Sequence, residues 1–561
     1  MTEAEMEAYA QDWSDDLEAF IYDWLDGKND GRIPDELLPP GVKQTRNGQS
    51  AFEDFYLVAP EDVPKTSKWG VTPALKKPNL QRMEPNFRDS HATYVVSKPI
   101  IAPFGTTVEI DGEFPHSRFF SIEALPPYDP YEYTAEGGVG GAETGVVDID
   151  IEPEPGHVNP FRIGSDPNAT DRSYSFEVEL AMGPTASFPT AYGPPYWRRP
   201  PGAPANKLVS SGILYQGPAA DEVDLWGNED GRFKSGHIWM RYYAIPDEYD
   251  ALAGVDLPDM RYRLPTGETF YVAMDFSGQD QEYEDNILST DTANAIPTDP
   301  PEWHADWGWD KMFGIFNEFA EAFARDQFNE TPEYVRELDR GYTGRGEDEP
   351  GARSWETGST KSNFINYLAQ KFAHLGDGRI TVLTGKLPET PKTRNGPGEG
   401  AEARYFSITG YTWELDADAR VGNLVGSFMD DELVVDSEGR YTLVVSQTED
   451  RPANATPENG VTWLDAGNER YLTFVIRWLS VHPDWHFSQA PTEDYLTWSE
   501  TTWSGKRYDP TKIGQNVRTG ALGPYLPKHN FMDKSCFERL GQNVTWADVD
   551  GVPWGSKWCF W

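Results

Sequence analysis

Long apolar runs are missing from these 561 residues. No stretch of about 18 consecutive hydrophobic residues occurs, so no transmembrane helix and no membrane insertion are expected. Cysteine is nearly absent: two in the chain exclude a disulfide-dense miniature fold. Positive charge is scarce as well. Forty-eight Lys and Arg against 92 Asp and Glu leave a formal charge of −44 and a pI near 4.5. The resulting field repels phosphates and anionic head groups, which argues against nucleic acid or acidic membranes as partners. Lysine is the scarcer cation, 19 against 29 Arg, with none between Lys98 and Lys207 or between Lys392 and Lys506. An acid-rich, lysine-poor surface stays hydrated in concentrated salt, which fits a halophilic or marine setting as well as an ordinary acidic exported protein.

Catalytic signatures are also lacking. There is no G-x-S-x-G elbow, no G-x-x-x-x-G-K-[ST] loop and no strand–G-x-G-x-x-G–helix unit, which argues against a serine hydrolase and against nucleotide cofactors. The start, Met1-Thr-Glu-Ala-Glu-Met-Glu, is acidic, and no signal peptide is visible.

What is present points to a folded chain. Twenty Trp, 27 Tyr and 28 Phe are too many large apolar groups for a polymer kept open by its charge, and the length suggests two to four domains. Met6, Tyr9, Trp13, Leu17, Phe20, Ile21, Trp24 and Leu25 recur at three- and four-residue spacing, predicting an amphipathic helix that Gly27 and Asn29-Asp30-Gly31 terminate. From about Phe87 the pattern changes to short alternating strands between Pro and Gly clusters. Helical spacing returns at Asp310 to Leu338 and near Phe364 to Phe372, and strands resume at Ile380-Thr-Val-Leu.

The strand segments repeat. Thr106-Thr-Val-Glu-Ile-Asp-Gly-Glu-Phe-Pro and Arg118-Phe-Phe-Ser-Ile are matched by Ile380-Thr-Val-Leu-Thr-Gly-Lys-Leu-Pro and Arg404-Tyr-Phe-Ser-Ile. The order continues with Val147-Asp-Ile-Asp-Ile against Met429-Asp-Asp-Glu-Leu, Arg172 against Arg440, and Arg241 against Arg477. The expected fold is therefore mainly β with helical insertions: two tandem β-sandwich or jelly-roll-like domains from an internal duplication. The segments read as 1–85, an N-terminal helix and extended linker; 86–275, the first sandwich; 276–362, a helical connector; 363–490, the second sandwich; and 491–561, a Trp-rich tail.

The runs GEFPHSRFFSI, GHVNPFRIG, RSYSFEV and MRYYAIPDEYDALAGVDLP, with RYFSITGY, DDELVVD and RYTLVVS in the second half, resemble the exported bacterial domain-of-unknown-function families numbered twelve-fifty-four and twelve-fourteen. The resemblance covers roughly residues 86–260 and 363–485. It implies β-rich, often tandem domains and supplies no activity or catalytic residue.

Four groups of side chains could carry chemistry. His482, Asp484 and His486 share one face of an extended strand, a set that zinc or copper would accept, although the matching Pro246-Asp247 lacks both imidazoles and favours a plain turn. Asp148 and Asp150 recur as Asp430 and Asp431, hard oxygen ligands of the kind calcium takes, or else charges that block strand addition at an edge. The repeated arginines read as partners for these acids. Tyr192, Tyr196 and Trp197, with Trp303, Trp307 and Trp309, lie in Pro- and Gly-rich stretches where aromatic faces stack on sugars, bury a protein partner or seal a domain joint. Cys536 and Cys559 could form one disulfide tying down the tail, weakly favouring an extracellular or periplasmic location.

The leading expectation is an exported or surface binding or scaffold protein recognising a glycan or protein through aromatic loops. The alternatives are a metal-dependent hydrolase or lyase on a polysaccharide or small organic substrate, and a self-assembling, homo-oligomeric structural subunit.

Overall fold

The computed structural model describes residues 3–38, 54–74, 82–85, 89–125, 144–162, 164–181, 205–210, 213–215, 233–274, 355–358, 365–390, 401–412, 414–416, 419–469, 471–481, 525 and 527–550. The N-terminal helix α1 (Glu3–Leu25) forms as its spacing predicts. Trp13, Leu17 and Ile21, one turn apart, are buried in the first apolar core. Beyond Gly27 the chain doubles back. At Gly31, with φ +83°, a Cβ would stand 2.8 Å from the Leu57 carbonyl and 2.9 Å from the Trp24 indole nitrogen, so only glycine fits.

Among the described residues fourteen strands precede residue 275: β1 (Phe55–Val58), β2 (Trp69–Thr72), β3 (Arg82–Pro85), β4 (Ala92–Ser97), β5 (Thr107–Glu113), β6 (Phe119–Leu125), β7 (Thr144–Val147), β8 (Ser173–Leu180), β9 (Lys207–Ser210), β10 (Ile213–Tyr215), β11 (Phe233–Ser235), β12 (His237–Tyr243), β13 (Asp259–Arg263) and β14 (Thr269–Met274). Ten follow: β15 (Trp355–Gly358), β16 (Ile365–His374), β17 (Arg379–Lys386), β18 (Ala403–Thr412), β19 (Glu414–Asp416), β20 (Ala419–Met429), β21 (Arg440–Ser446), β22 (Thr462–Asp465), β23 (Tyr471–Val481) and β24 (Lys528–Asp533).

Two sheets, β1-β14-β13-β5-β8-β9 and β2-β4-β12-β6-β7, face each other in the first half, with Ile110 and Phe176 of one packed in a common core with Ile122 and Met240 of the other. In the second half the sheets are β15-β16-β23-β18-β20-β19, with β3 on β20, and β22-β21-β17-β24. The duplication is visible in this order. The sequence β4-β12-β6-β7 matches β16-β23-β18-β20, and β13-β5-β8-β9 matches β24-β17-β21-β22, down to a single parallel pair in each half. Registers agree at the repeated arginines: Arg241 lies opposite Tyr94 and Ser121, and Arg477 opposite Tyr367 and Ser407. The fold is thus mainly β, two sandwich-like units from one duplicated pattern.

The same register shows why two glycines recur. Gly112 pairs with Tyr174, and Gly385 with Tyr441. A Cβ at either glycine would come within 2.8 Å of the tyrosine hydroxyl oxygen. The Tyr441 hydroxyl is buried without a hydrogen-bond partner. Tyr441→Phe should therefore raise the unfolding free energy by about 1 kcal/mol. Gly385→Ala should cost about 1–3 kcal/mol in the native background and less beside the phenylalanine, because the nearest clashing atom, the hydroxyl oxygen, is gone while the ring carbons remain. Chemical denaturation of the two single variants and the double variant measures both.

Four sequence expectations change. The stretch near Phe364 to Phe372, read as helical, falls in β16 (Ile365–His374); its register shifts between Gln370 and Ala373, and that irregularity breaks the two-residue alternation that marks a strand. The linker within 1–85 is woven into the fold, since β1 and β2 are edge strands of the first sandwich and β3 extends a sheet of the second. The tail is not peripheral either: β24 joins β17, and helices α2 (Lys534–Arg539) and α3 (Trp546–Asp550) follow it, with Phe537 and Val549 in a third apolar cluster. Finally, Tyr174 aligns with Tyr441, so Arg172 corresponds to Gly439 and Arg440 to Ser173, a slip of one position from the sequence match. Of the segment 276–362, only β15 lies within the described residues.

Candidate functional site

Among the described residues, buried Arg118, Asp148, Arg404, Asp430, Asp89 and Arg477 lie where the two sandwiches meet. Ala92, Tyr94, Phe119, Val147, Tyr243 and Ala244 of the first half join the apolar cluster of the second, which includes Tyr405, Phe406, Met429, Ile476 and Trp478. Tyr243 and Tyr405 pack with ring centroids 5.1 Å apart. Through this apolar seam run arginines, and the pairing is crossed. Arg118, fully buried, donates to Asp430 and, at 3.1 Å, to Asp431. Its copy Arg404 donates to Asp148, the copy of Asp430, and at 3.0 Å to the Arg118 carbonyl. Each sandwich therefore lends the other one cation and one anion, as a two-fold related pair of subunits does.

Local structure fixes each partner. Asp148 ends β7 in a short turn, where its carboxylate also accepts the Phe120 and Ile149 amides at 2.8 and 2.6 Å. The Asn159 side chain ties down the same turn through the Asp148 and Ile151 carbonyls. Burial pushes the Asp148 carboxyl up from its ordinary range, against the opposing pull of the Arg404 guanidinium. Asp430 accepts a further hydrogen bond from Thr390.

A second layer departs from symmetry. Arg241 pairs within its own sandwich, 2.7 Å from Glu123, and its guanidinium lies over Trp239 at 5.3 Å. In the second copy Thr409 stands at the position of Glu123, and Arg477 donates to Thr409 and Tyr411, each at 3.1 Å. The acid comes from the other half: Asp89, fully buried, lies 3.8 Å from Arg477 and accepts Tyr405 at 2.9 Å and Ser407 at 2.7 Å.

A different corner of the first sandwich holds Arg172. It is buried, donates to the Pro115 carbonyl at 3.2 Å and approaches the His116 ring nitrogens at 2.6 and 2.9 Å; His116 stacks on Tyr249 at 4.3 Å. Burial first, and the Arg172 cation second, push the His116 pKa down to about 4. The neutral imidazole is the folded form. Because the unfolded value is near 6.5, stability should be unaffected above that pH and decline as pH falls from about 6.5 to 4. A histidine NMR titration should place the His116 midpoint near 4, and His116→Gln should flatten that part of the stability profile.

The proposed calcium ligands therefore sit elsewhere than at an open edge. Asp148, Asp430 and Asp431 face arginines across the seam, and Asp150 is buried in the Asp148 turn. Among the described residues no three His, Cys, Asp or Glu side chains gather as a metal site. The physical reason is charge: an arginine already fills the place a cation would take. His482, Asp484 and His486, and all six aromatic residues Tyr192, Tyr196, Trp197, Trp303, Trp307 and Trp309, lie outside the described residues. Cys536 is buried and disulfide-bonded; Cys559, the other cysteine of the chain, is outside the described residues. Asp89 and Glu123 carry no sequence signal of their own beyond standing near the repeated strands. Among the described residues no helix is long and apolar enough to cross a membrane.

No family model matches this chain, and no curated protein does. Among solved structures, an uncharacterised protein from Burkholderia cenocepacia is similar at 9% identity and a TM-score of 0.33, over 72% of this chain and 79% of that one. A protein from Vibrio parahaemolyticus is similar at 12% identity and a TM-score of 0.27, over 70% and 86%. These likenesses are distant, and the two-sandwich description rests on the strand order and registers given above.

Proposed function

We propose that this chain is a binding or scaffold protein of an oxidising compartment outside the cytoplasm, recognising a glycan or a protein partner through aromatic loops of the first sandwich. One observation carries the reading. The parallel pair β8 and β9 is connected by residues 181–206, whereas the same pair in the second copy, β21 and β22, is connected by the shorter 447–461. The fold needs only the short connection, and the surplus carries Tyr192, Tyr196 and Trp197. The repeated Arg118, Arg404, Asp148 and Asp430, by contrast, are engaged inside the protein. The disulfide at Cys536 supports the compartment.

Binding of the purified chain to a glycan array and to candidate protein ligands should be lost in a Tyr192→Ala, Tyr196→Ala, Trp197→Ala variant whose thermal midpoint is unchanged. Retained binding in that variant would reject the reading. Turnover of a polysaccharide lost in His482→Ala and His486→Ala would replace it with the hydrolase.

A further inference from the structure

We infer that Arg172 anchors a ligand site on the first sandwich, where its guanidinium receives the carboxylate of a small acidic molecule. The inference goes beyond the aromatic-loop reading and stands without it. Three observations carry it. First, Arg172 is a buried cation without an acid. Arg118, Arg241, Arg404 and Arg477 are also buried, and they stand beside Asp430, Glu123, Asp148 and Asp89 respectively. Arg172 is 4% exposed, and among the described residues no carboxylate lies at ion-pair distance from it. Its partners are the Pro115 carbonyl and the His116 ring, and its Nε is buried with no acceptor. A guanidinium so placed lacks the two-oxygen acceptor that its fork fits.

Second, the fold does not require this cation. The Phe114 amide donates to the Arg172 carbonyl at 3.0 Å, and in the second sandwich the Leu387 amide donates to the Gly439 carbonyl at 2.9 Å. The same backbone link thus forms where Gly439 replaces Arg172 and Glu389 replaces His116. A charge kept buried at a position that the duplicate fills with glycine points to a bound partner. Third, the group beside Arg172 is one that a ligand can reach and displace. His116 is half-exposed, neutral when folded, and stacked on half-exposed Tyr249. A neutral imidazole offers one lone pair, whereas a carboxylate offers two oxygens and a full charge. A monoanion suits the corner better than phosphate, because Glu113 and Asp166 act on Arg172, Glu248 acts on His116, and the chain as a whole carries −44.

The test titrates the full chain at neutral pH and constant ionic strength with acetate, glucuronate, inorganic phosphate or glucose. Acetate and glucuronate should shift the His116 ring resonances saturably and raise the thermal midpoint, and glucose should do neither. Arg172→Met should weaken acetate binding at least about tenfold. Its ligand-free thermal midpoint should be unchanged or higher, since it removes a buried charge that no acid compensates. No saturable shift with either acid would overturn the inference, as would phosphate binding more tightly than acetate. A fall in midpoint as large as that of Arg118→Met would make Arg172 a structural cation and overturn it too. Arg172→Lys, which keeps the charge and loses the fork, is the second variant: weakened acetate binding upholds the inference, and undiminished binding rejects it. The Tyr192→Ala, Tyr196→Ala, Trp197→Ala variant should bind acetate as the native chain does, which separates this site from the aromatic loop.

Discussion

Arg118→Met is expected to lower the unfolding free energy by about 3–5 kcal/mol, one of the two largest single-residue effects anticipated here. The size comes from what is left behind more than from what is lost. Arg118 and Asp430 are both buried, and removing the guanidinium strands a carboxylate in a seam lined by Tyr243, Tyr405 and Trp478. Water cannot reach it without opening the joint. The companion change should reverse most of the damage: Arg118→Met with Asp430→Leu should lie within about 1–2 kcal/mol of the native chain or exceed it, because an apolar pair needs no desolvation. A urea-denaturation cycle over the four chains gives the coupling energy directly. Near-additive losses would mean that the two side chains do not interact across the seam in solution.

Asp89→Ala should cost a comparable 3–5 kcal/mol, through a different route. Asp89 precedes β4 in the first half, yet its carboxylate receives Tyr405 and Ser407 and stands beside Arg477, all in the second. Without it, two buried hydroxyls lose their acceptor and a buried guanidinium loses its acid. The damage falls on the joint rather than on either core. The unfolding transition should therefore split or broaden, where a core cavity would merely shift its midpoint. Calorimetry distinguishes the two, and Asp89→Asn, which keeps an acceptor oxygen but not the charge, should recover part of the loss.

Much of this architecture is legible in the residues. The helix is set by Trp13, Leu17 and Ile21, and the duplication by Arg118-Phe-Phe-Ser-Ile and its copy. The pairing of repeated arginines with the acidic edges is also readable, since both recur together. What escapes is the address. A repeat gives Arg118 and Arg404 the same partner type, and nothing in the pattern says that each takes the acid of the other copy, across 312 and 256 residues. Periodicity reports which face is buried, and it is silent on what covers that face. The same limit explains β16, where one bulge imitates helical spacing, and Arg172, where one step of register separates a buried arginine against His116 from Arg440 stacked on Trp546. The aromatic candidates are visible as composition, and composition fixes no geometry.

The seam also bears on how the protein responds to dissolved ions. Its formal charge of −44 produces self-repulsion at the surface, which added salt screens within a few ångströms. The ion pairs that hold the halves together are inside, where mobile ions do not follow. Raising ionic strength should thus relieve the repulsive part of the electrostatics while sparing the attractive part. A sequence that acquired ever more surface acid could do so without loosening its central joint, provided that the surrounding ionic strength stayed high.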